Sequence, residues 1–107
     1  MALNHVGPGD VVNLLSVGDA STAAKTIALV KADAFEAIRL VVPKGHELPE
    51  HKAKGAITFQ CLGGRIAFTA RGTTRELVAG DWLFLESQEL HSLKGLEDSS
   101  ALLTVIF

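Results

Sequence analysis

Short apolar and β-branched runs recur along this chain, each closed by glycine or by charged turn residues, and no segment carries a helical period. The runs are Val11 to Leu15, Thr26 to Val30, Phe35 to Val42, Ile57 to Leu62, Ile66 to Thr69, Trp82 to Leu85 and Ala101 to Phe107. Turn signals spaced by roughly 8–12 residues place such a chain among all-β sandwiches and barrels. The turn chemistry agrees. Gly63-Gly64 follows one run, Arg71-Gly72 sits inside a hairpin, and Gly80-Asp81 precedes the next run. The one candidate helical turn, Ala20 to Ala24, is too short to nucleate a helix on its own and reads as a loop.

A length of 107 residues predicts a single domain, residues 1–107, with one real core and a surface that a subunit partner would help to bury. The formal net charge is −2, and the ten Lys and Arg are scattered and outnumbered by twelve Asp and Glu. That balance provides no basic footprint, so nucleic acid is not an expected partner. Apolar runs such as Val41-Val42 and Leu102 to Phe107 are too short to cross a bilayer, and no membrane partner is expected. The start, Met1 to His5, lacks the basic segment and apolar core of an export signal. Cys61 is the lone cysteine and cannot form an internal disulfide. The expected location is the cytoplasm.

Chemistry-bearing residues are few. The stretch from Gly80 to His91 places a lone histidine on an apolar strand after a tight Gly-Asp turn, and His51 is equally isolated on an earlier strand. Two imidazoles from distant parts of the chain could meet in one pocket if the strands close into a barrel. By strand alternation His91 shares a face with Leu93, and His51 shares one with Pro49 and Ala53. Two readings fit His91: a core histidine satisfied by backbone or hydroxyl groups, or a pocket histidine aimed at a ligand. For His51 the competing reading is a solvated strand histidine.

The segments Gly45 to Gly64 and Gly80 to Gly95 resemble the two short motifs of the cupin superfamily, small RmlC-like β-barrels of jelly-roll type. The first family motif runs glycine, five residues, His-x-His, three or four residues, glutamate, six residues, glycine. In its shorter form Gly45, His51 and Gly64 match, with Ala53 at the second histidine and Ile57 at the glutamate. In its longer form, ending at Gly63, His51 is the second histidine, Pro49 the first, and Ala56 stands for the glutamate. Either register leaves one histidine and no carboxylate. In the second motif Gly80 and His91 keep the family spacing, Glu86 replaces a proline, Gln88 a glycine and Gly95 an asparagine.

The resemblance implies an all-β fold, a single-domain antiparallel jelly-roll barrel, and a homodimer. Metal-bearing cupins converge three histidines and a glutamate on one ion, whereas here only His51 and His91 carry over, as ligands of a divalent metal of unspecified identity. Two neutral imidazoles hold such an ion more weakly than four ligands unless side chains or waters complete the shell. Gln60, Cys61 and His46 are the nearest candidates to do so. Their plainer readings are a residue on the far face, a small buried apolar group and an exposed turn residue. The pocket is expected to be lined by Phe59, Phe68, Trp82, Phe84 and Leu93 beside the two histidines, which suits a small, partly apolar ligand.

Other site chemistries fall away. Gly63-Gly64 lacks the Lys-Ser or Lys-Thr of a nucleotide loop, and no His-Glu-x-x-His or Cys-x-x-Cys is present. Nothing in the spacing sets Ser87, Ser92 or Cys61 beside a base backed by a carboxylate. Glu86, Glu89, Glu97 and Asp98 read as a solvated rim near His91. Arg39 and Arg65 have apolar alternation partners and are expected to point outward into solvent. Two functions therefore stay open: a small oxygenase or isomerase with a loosely held metal, or a barrel that binds or senses a small molecule without metal or turnover.

Overall fold

The computed structural model describes residues 5–15 and 25–107. Among them nine strands form: β1 Ile27–Lys31, β2 Phe35–Val42, β3 Glu47–His51, β4 Ile57–Gly63, β5 Arg65–Ala70, β6 Thr73–Val78, β7 Trp82–Leu85, β8 His91–Gly95 and β9 Ser99–Ile106. They build a five-stranded sheet in the order β1-β2-β9-β4-β7 and a four-stranded sheet in the order β3-β8-β5-β6. Pairing is antiparallel throughout, and the chain crosses repeatedly from one sheet to the other, as a jelly roll does. No helix among the described residues is long and apolar enough to cross a membrane.

Alternation sorts each strand into an inner and an outer face. Ile57, Phe59 and Cys61 of β4, Ile66 and Phe68 of β5, Leu93 of β8 and Ala101 of β9 are buried between the sheets. Phe59 and Phe68 meet across the interior with ring centroids 4.9 Å apart and planes tilted by 56°, a geometry that adds about 0.5–1.5 kcal/mol to the burial of the rings. The interior is thereby filled by side chains. Two turns enforce the sheet-to-sheet crossings. Gly64 has φ +79°, and a Cβ there would collide with Ser99 Oγ and the Asp98 carbonyl. A Cβ on Gly95 would lie 2.5 Å from the Pro43 carbonyl.

Several expectations need correction. Val11 to Leu15 forms no strand; it is an irregular segment whose Leu14 carbonyl accepts from Arg39. Ala20 to Ala24 lies outside the described residues. The apolar runs do not include β3, β6 or β8, although the sequence places His91 on a strand. β3 and β6 are the edges of the four-stranded sheet, and their sequences, Glu-Leu-Pro-Glu-His and Thr-Thr-Arg-Glu-Leu-Val, are polar as edge strands are. Trp82 and Phe84 do not line the interior. β7 turns Leu83 and Leu85 inward instead, and the two aromatic residues are 56% and 58% exposed, 6.1 Å apart on its outer face.

Candidate functional site

β3 and β8 pair so that His51 stands directly opposite His91. The register advances three residues on β3, from Leu48 to His51, while β8 advances two, from Leu93 to His91. One extra residue therefore bulges out of β3, beside Pro49, which has no N–H to give to a ladder. The bulge breaks the strict alternation and brings His51 to the same face as Leu48 rather than Pro49, onto the inner side with His91. The two ring centroids are 4.3 Å apart with planes tilted by 58°.

Each imidazole is oriented by its own backbone. His51 Nδ1 is 2.8 Å from the Pro49 carbonyl, and His91 Nδ1 is 3.1 Å from the Glu89 carbonyl. A carbonyl can only accept, so both Nδ1 atoms carry the proton and both Nε2 atoms keep the lone pair when the rings are neutral. Neither Nε2 has a hydrogen-bond partner among the described residues. His91 is 4% exposed, yet no fully buried side-chain nitrogen there is left unpaired, so its Nε2 lies at the accessible edge of the ring. Phe68 stacks flat on His91 at 5.7 Å and 2°. His91 is thus satisfied by backbone at Nδ1, while its Nε2 has no protein partner among the described residues.

The loop before β8 is fixed by side chains. Glu89 accepts from Arg71 at 2.5 Å and from the Glu86 N–H at 2.6 Å. Ser87 Oγ and Gln88 Nε2 donate to the Lys54 carbonyl, tying this loop to the one that follows His51. Gln88, at the family's glycine position, still has a glycine-like φ of 71°. Of the acids close to His91 in sequence, Glu89 is engaged as described. Glu97, paired with Arg65, and Asp98, accepting from the Lys44 N–H, follow the Gly95 end of β8 and lie away from His91. The Glu86 carboxylate has no hydrogen-bond or ion-pair partner among the described residues. No group of three or more His, Cys, Asp or Glu able to hold an ion occurs among the described residues.

The proposed third ligands sit elsewhere. His46 is exposed in the turn before β3. Cys61 is buried in the core, donates to the Gly63 carbonyl, and has its thiol pKa pushed up chiefly by burial. Gln60 lies on the outer face of β4. Ile57, at the glutamate position of the shorter register, is a buried core residue of β4, and Ala56 precedes the strand. Phe59, Phe68 and Leu93 are core residues packed around the site. A neighbouring cleft of about 300 Å³ is lined by Phe68, Ala70, Arg71, Leu83, Phe84 and Leu85; it meets the site through Phe68 and Ala70, and neither histidine is among its lining residues. Arg65 is exposed as expected, paired with Glu76 and Glu97. Arg39 departs from expectation, pointing outward from β2 and yet only 2% exposed. Nothing in its local sequence signals this, since the cover comes from residues 25 positions earlier.

Burial pushes the His91 pKa below its ordinary 6.5; the Glu89 carbonyl opposes this, and the nearby His51 adds to it. The unfolded chain takes up a proton near pH 6.5, whereas folded His91 does so only at lower pH. The unfolded state therefore binds more protons in that interval, and stability falls as pH drops through 6.5 toward the folded value. In chelator-treated protein, urea midpoints should decline from pH 7.5 to pH 5. His91→Gln should flatten that decline, and an unchanged slope would remove His91 as its source.

No protein-family model and no curated protein matches the sequence. Solved structures match the fold. A cupin superfamily protein from Desulfitobacterium hafniense is 18% identical with a TM-score of 0.81, covering 100% of this chain and 99% of that one. An RmlC-like cupin with a double-stranded β-helix fold from Methanocaldococcus jannaschii is 12% identical with a TM-score of 0.69, covering 78% and 82%. Salicylate 1,2-dioxygenase from Pseudoaminobacter salicylatoxidans, in adducts with gentisate, is 19% identical with a TM-score of 0.71 over 76% of this chain and 24% of that one. At these identities the likeness establishes the fold: an all-β jelly roll of cupin type.

Proposed function

We propose that this small cupin-fold domain holds a divalent first-row ion weakly between His51 and His91 and receives a small, partly apolar molecule in the adjoining cleft. The observation that carries the reading is the pair of open Nε2 atoms on rings 4.3 Å apart, each aligned by an Nδ1–H bond to backbone. Such bonds orient histidine ligands and raise their basicity. Imidazole pairs suit zinc, nickel, copper or iron, and with no carboxylate to join them the rest of the shell falls to water or ligand. An ion held there supplies Lewis-acid polarisation of a ligand oxygen. The chain's own contribution is positional. Phe68 keeps His91 flat against the core, the Glu89–Arg71 pair fixes the loop that carries it, and Ala70, opposite His91 in the β5–β8 register, begins the cleft wall.

A second reading, a metal-free barrel that binds a small molecule without turnover, is favoured by the engagement of Glu89 with Arg71 and the Glu86 N–H, and by the lack of a third His, Cys, Asp or Glu grouped with the pair among the described residues. Titrating chelator-treated protein with zinc, read through the ring C–H signals of the histidines, separates the two. The metal reading expects His51 and His91 to shift together and saturate at one ion per chain while His5 and His46 stay put. Shifts confined to His5 or His46, or none at millimolar zinc, would leave the metal-free reading.

A further inference from the structure

Arg39 lies in the middle of β2 on the outer face of the five-stranded sheet, in register with Ile27 of β1 and Leu102 of β9. It is 2% exposed, covered by the segment that includes Leu14. Its Nε–H reaches the Leu14 carbonyl at 3.4 Å, a long bond, and no other hydrogen bond or ion pair meets the guanidinium among the described residues. A guanidinium removed from water calls for an anion or a full set of acceptors. Arg39 has neither. Since no fully buried side-chain nitrogen is unpaired among the described residues, its terminal nitrogens keep a small accessible surface. That surface borders a cavity of about 210 Å³ that Arg39 helps to line.

The remaining walls define what the cavity would take. Leu14, Leu15, Val41 and Leu62 are apolar, and the Gly63-Gly64 turn brings bare backbone to the edge. Among the described residues one acid, Asp98, also borders it, with Oδ1 accepting the Lys44 N–H at 2.9 Å. A fixed negative charge at the edge opposes a second negative charge on the ligand and so disfavours dianions. The volume is below that of a drug-sized site. We propose that this cavity is a binding site for a small aliphatic monocarboxylate, its carboxylate held in the Arg39 fork and its alkyl part against the leucines. The planar guanidinium matches a carboxylate bidentately. The site shares no residue with the His51–His91 pair and does not depend on its occupancy.

Sodium butyrate, with butyramide as its neutral counterpart, is the probe, titrated into isotope-labelled full-length protein at constant ionic strength. Expected are saturable shifts of the Arg39 Nε–H and of the Gly63 and Gly64 amides with butyrate, none with butyramide, and at least a tenfold weaker response in Arg39→Met. Arg39→Lys, which keeps the charge but not the fork, should fall between. Equal responses to butyrate and butyramide, equal responses to butyrate and sulfate, or no saturable shift at Arg39 would each overturn the proposal. The comparisons on the unaltered chain decide it even where a variant does not fold.

Discussion

Replacing Phe68 by alanine should cost about 3–5 kcal/mol of stability, whereas the same change at Phe84 should stay within about 0.5 kcal/mol. Both are phenylalanines in strands that pack on the same core, and the difference is the face they occupy. Phe68 is 1% exposed, meets Phe59 at 4.9 Å and stacks on His91. Its removal opens a cavity that the two sheets cannot close without breaking ladder bonds on either side. Small domains have only about 5–15 kcal/mol in total, so the variant should sit near the edge of folding at room temperature. Thermal melts would show a drop of more than about 12 °C, at about 4–8 °C per kcal/mol. Phe84 touches Trp82 on the outer face of β7, and its loss creates no cavity. A comparable drop for Phe84→Ala would mean that its outer face is covered in solution, and a small drop for Phe68→Ala would contradict the packed interior.

That contrast also shows where the sequence was readable and where it was not. Phe35 to Val42 reads directly as β2 because it is long, apolar and flanked by turns, and the Ile57–Phe59–Cys61 alternation marks the inside of β4. Trp82-Leu83-Phe84-Leu85 is apolar at every position, so alternation could not say which pair turns inward; only pairing with Gln60 through Ile57 decides it. Val11 to Leu15 is apolar without being a strand: Val11, Val12 and Leu15 stay exposed, and only Leu14 is half-buried, where its carbonyl meets Arg39 on the outer sheet face. His51 and His91 were legible as a pair through the motif spacing. Their common face was not, since it depends on a bulge that no local pattern announces. Arg39 was misread for the complementary reason: its alternation correctly placed it outward, but burial of an outer face is a tertiary event.

Substituting His51 and His91 one at a time should separate ligand from scaffold. Changing a residue that merely orients a metal ligand costs about 10–100-fold in affinity, so removing one of two direct ligands should weaken zinc binding by at least about a hundredfold. Both alanine variants should show that loss. Their stabilities should differ. His51 is exposed and bonded only to Pro49 within its own strand, so His51→Ala should leave the urea midpoint nearly unchanged. His91 is buried under Phe68 and anchors the Glu89 carbonyl, so His91→Ala leaves both a void and an unpaired acceptor and should cost about 1–3 kcal/mol. Zinc should in turn raise the midpoint of the unaltered protein and of neither variant, because only binding to the folded state stabilises it. A zinc-dependent rise that survives in His51→Ala would place the ion outside this pair, while loss of stability without loss of zinc affinity in His91→Ala would reduce that histidine to a core residue.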